Sequence, residues 1–355
     1  MKQKMIICIS ILIVLVLTVI IVLNHPAFSR TPRGERLVRI ERSPNYKEGQ
    51  FVNQEPTPFM TTDKSRWRIM WDNLTEKKPD NLIPSESIHA VKTDLKRLNL
   101  SKDAVVWFGH SSYLLINGGK KILVDPVLTT GFPVSLMMKP FKGTDIYSPE
   151  DIPEVDYLII THDHYDHLDY GTVKAIRDKV DKVICPLGVG EHLEYWGYSA
   201  EKIVEMDWNE VYTSEPGFRI TCLTARHFSG RFLRQNPSLW ASFMLEGHST
   251  VYIGGDSGYG AHFSEIGKRF PHIDLAILEN GQYNEEWSLI HLMPQYMAQT
   301  ARDLKAKRVL TVHHSKYALA KHRWDEPLKN AEEMKNKDSL NVLIPEIGEV
   351  VALEK

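Results

Sequence analysis

Residues 161–169 read THDHYDHLD, placing three histidines and three aspartates in nine positions directly after the apolar run VDYLII. His162 and His164 are two apart, so an extended backbone can aim both imidazoles at one point. A turn just beyond the strand can bring Asp166 and His167 to a neighbouring point. Imidazole suits zinc and similar divalent metals and a carboxylate adds a hard oxygen, so the stretch could serve two adjacent ions. The plainer alternative is a polar turn in which Asp169 caps the next helix. That accounts poorly for three histidines among six residues.

The same arrangement recurs downstream, with a metal-competent residue closing an apolar run: His227 after RITCLTAR, Asp256 after TVYIGG, His313 after RVLTV. Singly, each has a structural explanation, because a strand-end histidine commonly hydrogen-bonds and Asp256-Ser257-Gly258 reads as a turn. Together they point to one site at an edge of the sheets, where connecting loops gather. His314 competes with His313, and adjacent strand residues face opposite ways, so one of the two is expected to bind. His89, His192, His248, His262, His272 and His322 have no motif around them and read as surface residues. Trp67 and Trp71, at helical spacing, read as core.

The elements that must position these residues are visible as short runs. AVVWFGH, YLLI and KKILVDP, with Gly118-Gly119 between the last two, read as consecutive antiparallel strands. DYLII, KVICP, GFRITCLTA, WASFML, TVYIGG, DLAILE and RVLTVHH follow, interleaved with helix-like stretches near 170–179, 189–196, 294–306 and 326–337. Strands in runs and then separated by helices predict sheets covered by helices.

The chain has 355 residues, 43% hydrophobic and 25% charged, enough for a sizeable core. A net charge of -2 and a pI near 6.7 carry no basic footprint, so no nucleic-acid partner is expected. Residues 5–23 contain no charged residue and as a helix would span ~28 Å, close to a bilayer's hydrocarbon thickness. A membrane anchor is favoured over a cleaved signal, for which Ala27 and Ser29 would supply small residues. Lys2 and Lys4 precede the run and Arg30, Arg33, Arg36, Arg39 and Arg42 follow it, so charge does not fix orientation; the body is expected outside the cytoplasm. Residues 24–65 lack periodicity and read as a linker or an arm laid over the domain. The expected division is 1–24 anchor or signal, 25–100 linker and packed extension, 101–355 catalytic domain. Of three cysteines, Cys8 lies in the apolar run, and Cys185 and Cys222 leave room for one disulfide.

The six-residue motif from His162 to His167, followed by single His, Asp and His residues after later strands, resembles the metallo-β-lactamase fold superfamily. THDHYDHLD, GGDSGYG, IGKRFPHIDLAIL and VHHSKYALAKHRWDEP are similar to the branch of N-acylphosphatidylethanolamine-hydrolysing phospholipases D, over about residues 44–350. The resemblance implies an α/β four-layer αβ/βα sandwich with a site for two zinc ions, or other divalent metals, at the sheet edge. It implies that His162, His164 and His227 hold one ion, that Asp166, His167 and His313 hold the other, and that Asp256 bridges them. The family pattern thus selects His313 over His314. His at position 167 matches hydrolases that act on phosphodiesters, where many true β-lactamases differ. The resemblance places His291, in SLIHLMP, near the substrate, although as a sequence it reads equally as a loop histidine before the helix opened by Pro294. His110 and Asp125 match positions that orient ligands, although each could equally mark a turn or a strand end.

The reaction implied is hydrolysis of a phosphodiester by water ionised between the ions, with Asp166, Asp256 and His291 at the chemistry. The substrate implied is a phospholipid, N-acylphosphatidylethanolamine, cleaved to N-acylethanolamine and phosphatidic acid, with the membrane as partner. One departure stands out: Glu279-Asn280-Gly281-Gln282-Tyr283 follows DLAIL, where the branch has a small apolar stretch running into the tyrosine. The alternatives are a metal-dependent hydrolase of a lactone, a carboxylic ester or a small cyclic phosphodiester, and a membrane-tethered binding protein without catalysis. The complete set of seven ligands argues against the last.

Overall fold

Alternation along the strands sends side chains into two separate cores. In the computed structural model, which describes residues 2–28, 30–131, 134–136, 138–231 and 234–353, Val105, Trp107, Leu115, Ile122, Val124, Tyr157 and Ile159 join one apolar cluster. Val106, Leu114, Leu123 and Leu158, on the opposite face, join another. A strand buried on both faces requires this period of two with apolar residues at every position.

Two sheets of seven strands result. The first runs Val350–Ala352, Ala104–Trp107, Tyr113–Asn117, Lys120–Val124, Val155–Ile159, Val180–Pro186 and Ile203–Met206. Its first four strands are antiparallel and the remainder parallel. The second runs Val342–Leu343, Val309–Val312, Leu275–Glu279, Thr250–Ile253, Ser242–Glu246, Phe218–Leu223 and Val211–Glu215, parallel through the first four and antiparallel beyond. The expected hairpin closes at Gly118 and Gly119, whose φ angles of 58° and 79° suit the tight turn that matches strand twist.

The inner faces meet in one core, with Ile220, Phe243, Ile253, Ile277 and Leu310 opposite the residues named above. Helices Tyr170–Ile176 and Gly190–Tyr195 cover the outer face of the first sheet through Val173, Ile176 and Leu193. Helices His262–Arg269, Pro294–Asp303 and Glu326–Asn336 cover the second through Phe263, Met297, Ala301 and Met334. This is the expected four-layer αβ/βα sandwich. Parallel neighbours need a crossover, and five of the six returns run over a helix, the exception being the long loop from Val124 to Val155; the strand ends are thereby aligned at one edge. Residues 160–169, 254–258, 280–283 and 313–315 therefore emerge along that edge.

Some readings of single residues need correction. Trp67 and Trp71 lie on helix Arg66–Thr75 but are 77% and 62% exposed, not core. Their spacing signalled a helix without signalling which face is covered. His192 and His262 are buried rather than on the surface, His192 beside Asp163 and His262 bonded to Ser257 Oγ at 3.0 Å. Cys185 and Cys222 are both buried and free, so the possible disulfide is absent. Within residues 24–65, helix Gly34–Glu41 and the short pair Tyr46–Lys47 and Gln50–Phe51 lie against the domain and bury Ile40 and Phe51 in the inner core. Among the described residues, one apolar helix, Lys2–Leu23, is long enough to cross a membrane. Ser29, named above as a small residue near a cleavage point, lies outside the described residues.

Candidate metal centre

The residues singled out in the sequence converge at the aligned strand ends. After strand Val155–Ile159, Thr161 is tied to Asp125 by its N–H at 2.8 Å and its hydroxyl at 2.6 Å, which fixes where the histidine loop begins. The loop then curls, with the N–H groups of His167 and Leu168 donating to the His164 carbonyl. Asp169 accepts from Thr172 N at 3.0 Å and caps the next helix. The cap and the ligand-like residues coexist, so the two readings of the stretch are not exclusive.

His162 Nε2 and His227 Nε2 approach His164 Nδ1 to 2.9 and 3.2 Å. His227 donates its Nδ1 proton to the Ile290 carbonyl at 2.7 Å, so Nε2 carries a lone pair. Burial, followed by the neighbouring imidazoles, holds His162 and His227 well below the usual histidine range, and burial also lowers His164. One proton on His164 Nδ1 can serve only one of the two facing nitrogens, whereas a cation between the three would satisfy all of them. Their separations compare with roughly 3.3 Å between nitrogens around a tetrahedral zinc. The donor set therefore fits a divalent ion.

The second group is charged differently. Asp256 Oδ1 lies 3.2 Å from His167 Nε2 and its Oδ2 lies 3.2 Å from His313 Nε2, while Asp166 Oδ2 is 3.3 Å from His313 Nε2. Burial opposes charge on His167 and His313, but Asp256 leads the carboxylates that outweigh it, raising His167 and lifting His313 to about 10. Asp166 and Asp256 are held well below the carboxylate range because His167 and its neighbours overcome their burial. Protons on two imidazoles thus balance buried carboxylates where a second cation fits equally well. His164 Nε2 is buried without a hydrogen-bond partner, and the buried His167 Nε2 and Asp256 Oδ1 make a charge contact that is not aligned as a hydrogen bond. Asp256 faces both groups, at 3.8 and 3.9 Å from His227 and His162.

His110 and Asp125 both contact ligand-like residues. His167 Nδ1 donates to Asp125 Oδ2 at 2.8 Å, which orients Nε2 toward Asp256. His110 Nε2 meets Asp166 Oδ2 at 2.9 Å, and burial and then His313 lower His110 to about 3. His314 turns away, with Nδ1 on Ser315 Oγ and its ring 4.8 Å from Trp107. Strand alternation does not cause this, because the strand ends at Val312 and His313 has φ of 68°. A left-handed residue, not the pleat, separates the two histidines.

Glu279 was read only as a departure from a pattern, yet it organises one wall. Its Oε1 accepts from Ser257 N at 2.6 Å and Leu292 N at 3.0 Å, and its Oε2 accepts from His291 Nδ1 at 2.7 Å. His291 is thereby fixed with Nδ1 3.8 Å from Asp256 Oδ2, and the residue lines the cavity. The signal available in the sequence was a carboxylate ending the apolar strand LAILE, parallel to the strands before Asp256 and His313. A cavity of about 240 Å³ opens over the centre, with Phe59, Phe228, Trp287, Ile290 and Leu319 around His164, Asp166, Asp256, His291 and His313.

The fold and this centre define a metal-dependent hydrolase, and residues 120–314 match the beta-lactamase superfamily domain. The chain belongs to that family. An uncharacterized Mycobacterium tuberculosis protein is 36% identical over 324 residues, covering 88% of this chain and 85% of the relative. The mitochondrial N-acyl-phosphatidylethanolamine-hydrolyzing phospholipase D of Saccharomyces cerevisiae is 32% identical over 238 residues, covering 64% of this chain and 50% of the relative. The matched part is thus half of that phospholipase. An isothiocyanate hydrolase from Delia radicum gut bacteria shares the fold at 20% identity, with a TM-score of 0.57 over 70% of this chain and 98% of the other.

Proposed function

We propose that this protein hydrolyses a phosphodiester in the manner of a phospholipase D, releasing N-acylethanolamine and phosphatidic acid from N-acylphosphatidylethanolamine. The observation that carries the reading is Asp256 lying against both His162 and His227 on one side and His167 and His313 on the other, beneath an apolar-walled cavity. His162, His164 and His227 would hold one divalent ion, Asp166, His167 and His313 the other, and Asp256 both, with zinc the first choice for imidazole-rich donors. Such ions supply Lewis-acid neutralisation of phosphoryl oxygens and make water acidic near neutral pH.

The remaining work falls to the chain itself. Asp166 and Asp256, held ionised, would orient the attacking water, whose proton passes on to solvent. As the water oxygen bonds to phosphorus, the bond to the ethanolamine oxygen breaks, and that oxygen takes up a proton. His291, held by Glu279 through Nδ1 and lining the cavity, would deliver it from Nε2. Phe59, Phe228 and Trp287 exclude water and accommodate an acyl chain. Helix Lys2–Leu23 would serve as an anchor, bringing the cavity to lipid substrates in two dimensions.

Glu279 supports a second reading, since an added buried carboxylate is better tolerated by a neutral lactone or ester than by an anionic phosphodiester. The zinc-loaded full chain in detergent should be assayed against N-acylphosphatidylethanolamines, cyclic nucleotides and lactones. Release of N-acylethanolamine is expected, and turnover of lactones alone would replace the phosphodiester reading. Asp256→Ala should lower bound zinc and cut bis(p-nitrophenyl) phosphate hydrolysis at least about a hundredfold. Unchanged activity would remove Asp256 from the centre.

A further inference from the structure

Arg231, four residues beyond His227, is 1% exposed, an expensive place for a guanidinium unless its donors are used. Its NH1 donates to the carbonyls of Asp163 and Leu168 at 2.7 and 2.8 Å, and its Nε donates to the Ala27 carbonyl at 2.6 Å. The first two acceptors bracket residues 164–167, which include His164, Asp166 and His167. The third belongs to the segment leaving the apolar helix that ends at Leu23. Tyr165, on the loop itself, lies under the guanidinium, with its ring centre 4.1 Å away.

The segment is held from other sides as well. Trp196 Nε1 donates to the Pro26 carbonyl at 2.9 Å, and Ala27 and Phe28 are buried. Further along, Arg36 reaches Glu205, Glu191 and Glu194 at 2.6, 2.9 and 2.9 Å, clamping helix Gly34–Glu41 to the domain. These contacts fix residues 26–28 next to Arg231. None of the candidate ligands bonds to Arg231 through its side chain, so its influence runs through the backbone of the loop.

We propose that Arg231 is a positioning residue that sets residues 164–167 for metal binding, and that its grip depends on residues 26–28, so that the exit of the apolar helix tunes the metal centre. The proposal rests on the reading that this loop binds divalent ions. Only a planar fork can serve carbonyls on both sides of the loop and a third on the strap; an ammonium has donors but no such spread. Losing the fork leaves three carbonyls to find other partners and loosens the loop between its remaining anchors at Thr161 and Asp169. An extended chain covers at most about 14 Å in four residues, so the loop also lies close to where the apolar helix ends.

The test measures zinc affinity of the full chain in detergent by competition with a chromophoric chelator, alongside thermal melting. Arg231→Met is expected to weaken zinc binding about 10- to 100-fold, the range for partners that orient ligands. Arg231→Lys should recover part of the loss. Ala27→Glu, which expels the buried strap, should weaken binding in the same direction, and the double variant should be no weaker than Arg231→Met alone, because both break one connection. Met334→Ala, in the helix layer of the second sheet, serves as a comparison: it should lower the melting temperature and leave zinc affinity unchanged. Wild-type zinc affinity in Arg231→Met or Ala27→Glu, or additive losses in the double variant, would overturn the proposal. A wild-type chain that binds no divalent metal would instead overturn the metal reading beneath it.

Discussion

Among single residues, Glu279 separates a positioning effect from a loss of structure. Glu279→Gln keeps an oxygen for the N–H groups of Ser257 and Leu292 but replaces the charged acceptor of His291. Turnover is expected to fall about 10- to 100-fold with KM little changed, as for a misplaced proton-transfer group. Steady-state kinetics with a soluble phosphodiester would check this, and an unchanged kcat would mean that His291 does not need its partner. Glu279→Ala should do more harm, since each buried N–H left unpaired costs about 1–3 kcal/mol. The sequence made the histidines legible because their density has no ordinary structural cause. Glu279 was not legible as a site residue, because a strand-end carboxylate is commonplace until its neighbours across the edge are known.

The elements place ligands through their ends, and the loops there are built around close backbone approaches. A Cβ on Gly258 would lie 1.9 Å from the Leu289 carbonyl oxygen, a main-chain atom that cannot swing aside. Gly258→Ala must therefore displace the loop carrying Asp256 or the one carrying His291. A stability loss of about 1–3 kcal/mol is expected, together with reduced zinc content. Denaturant unfolding and metal analysis would test it, and a stable variant with full zinc would show that the two loops move independently. Strand positions were readable from apolar runs and their turns, including the hairpin at Gly118-Gly119. Helix Gly34–Glu41 was not, since eight residues give a weak periodic signal and its single buried residue, Ile40, is paired with distant strands.

For the whole molecule, the centre joins the two sheets: Asp166 and His167 come from the first, Asp256 and His313 from the second. An ion bound by both should hold the halves of the sandwich together. Metal removal by a chelator is expected to lower stability by about 4 kcal/mol when free metal had stood a thousandfold above Kd. That would be read as a fall of several degrees in melting temperature, restored by zinc. Equal melting with and without metal would place the ions outside any role in cohesion.

The sequence by itself determined the layer type, the apolar N-terminal helix and most of the metal-competent residues, because periodicity and clusters of ionisable groups are local properties. Only the tertiary structure decided that Trp67 and Trp71 face outward, that His192 and His262 are buried, and that Glu279 and Arg231 hydrogen-bond to the loops at the strand ends. It also separated His313 from His314 by a left-handed backbone that no spacing rule supplies. Each of these depends on which distant strand ends the crossovers bring side by side, and burial or a hydrogen bond across such an edge leaves no periodic trace along the chain.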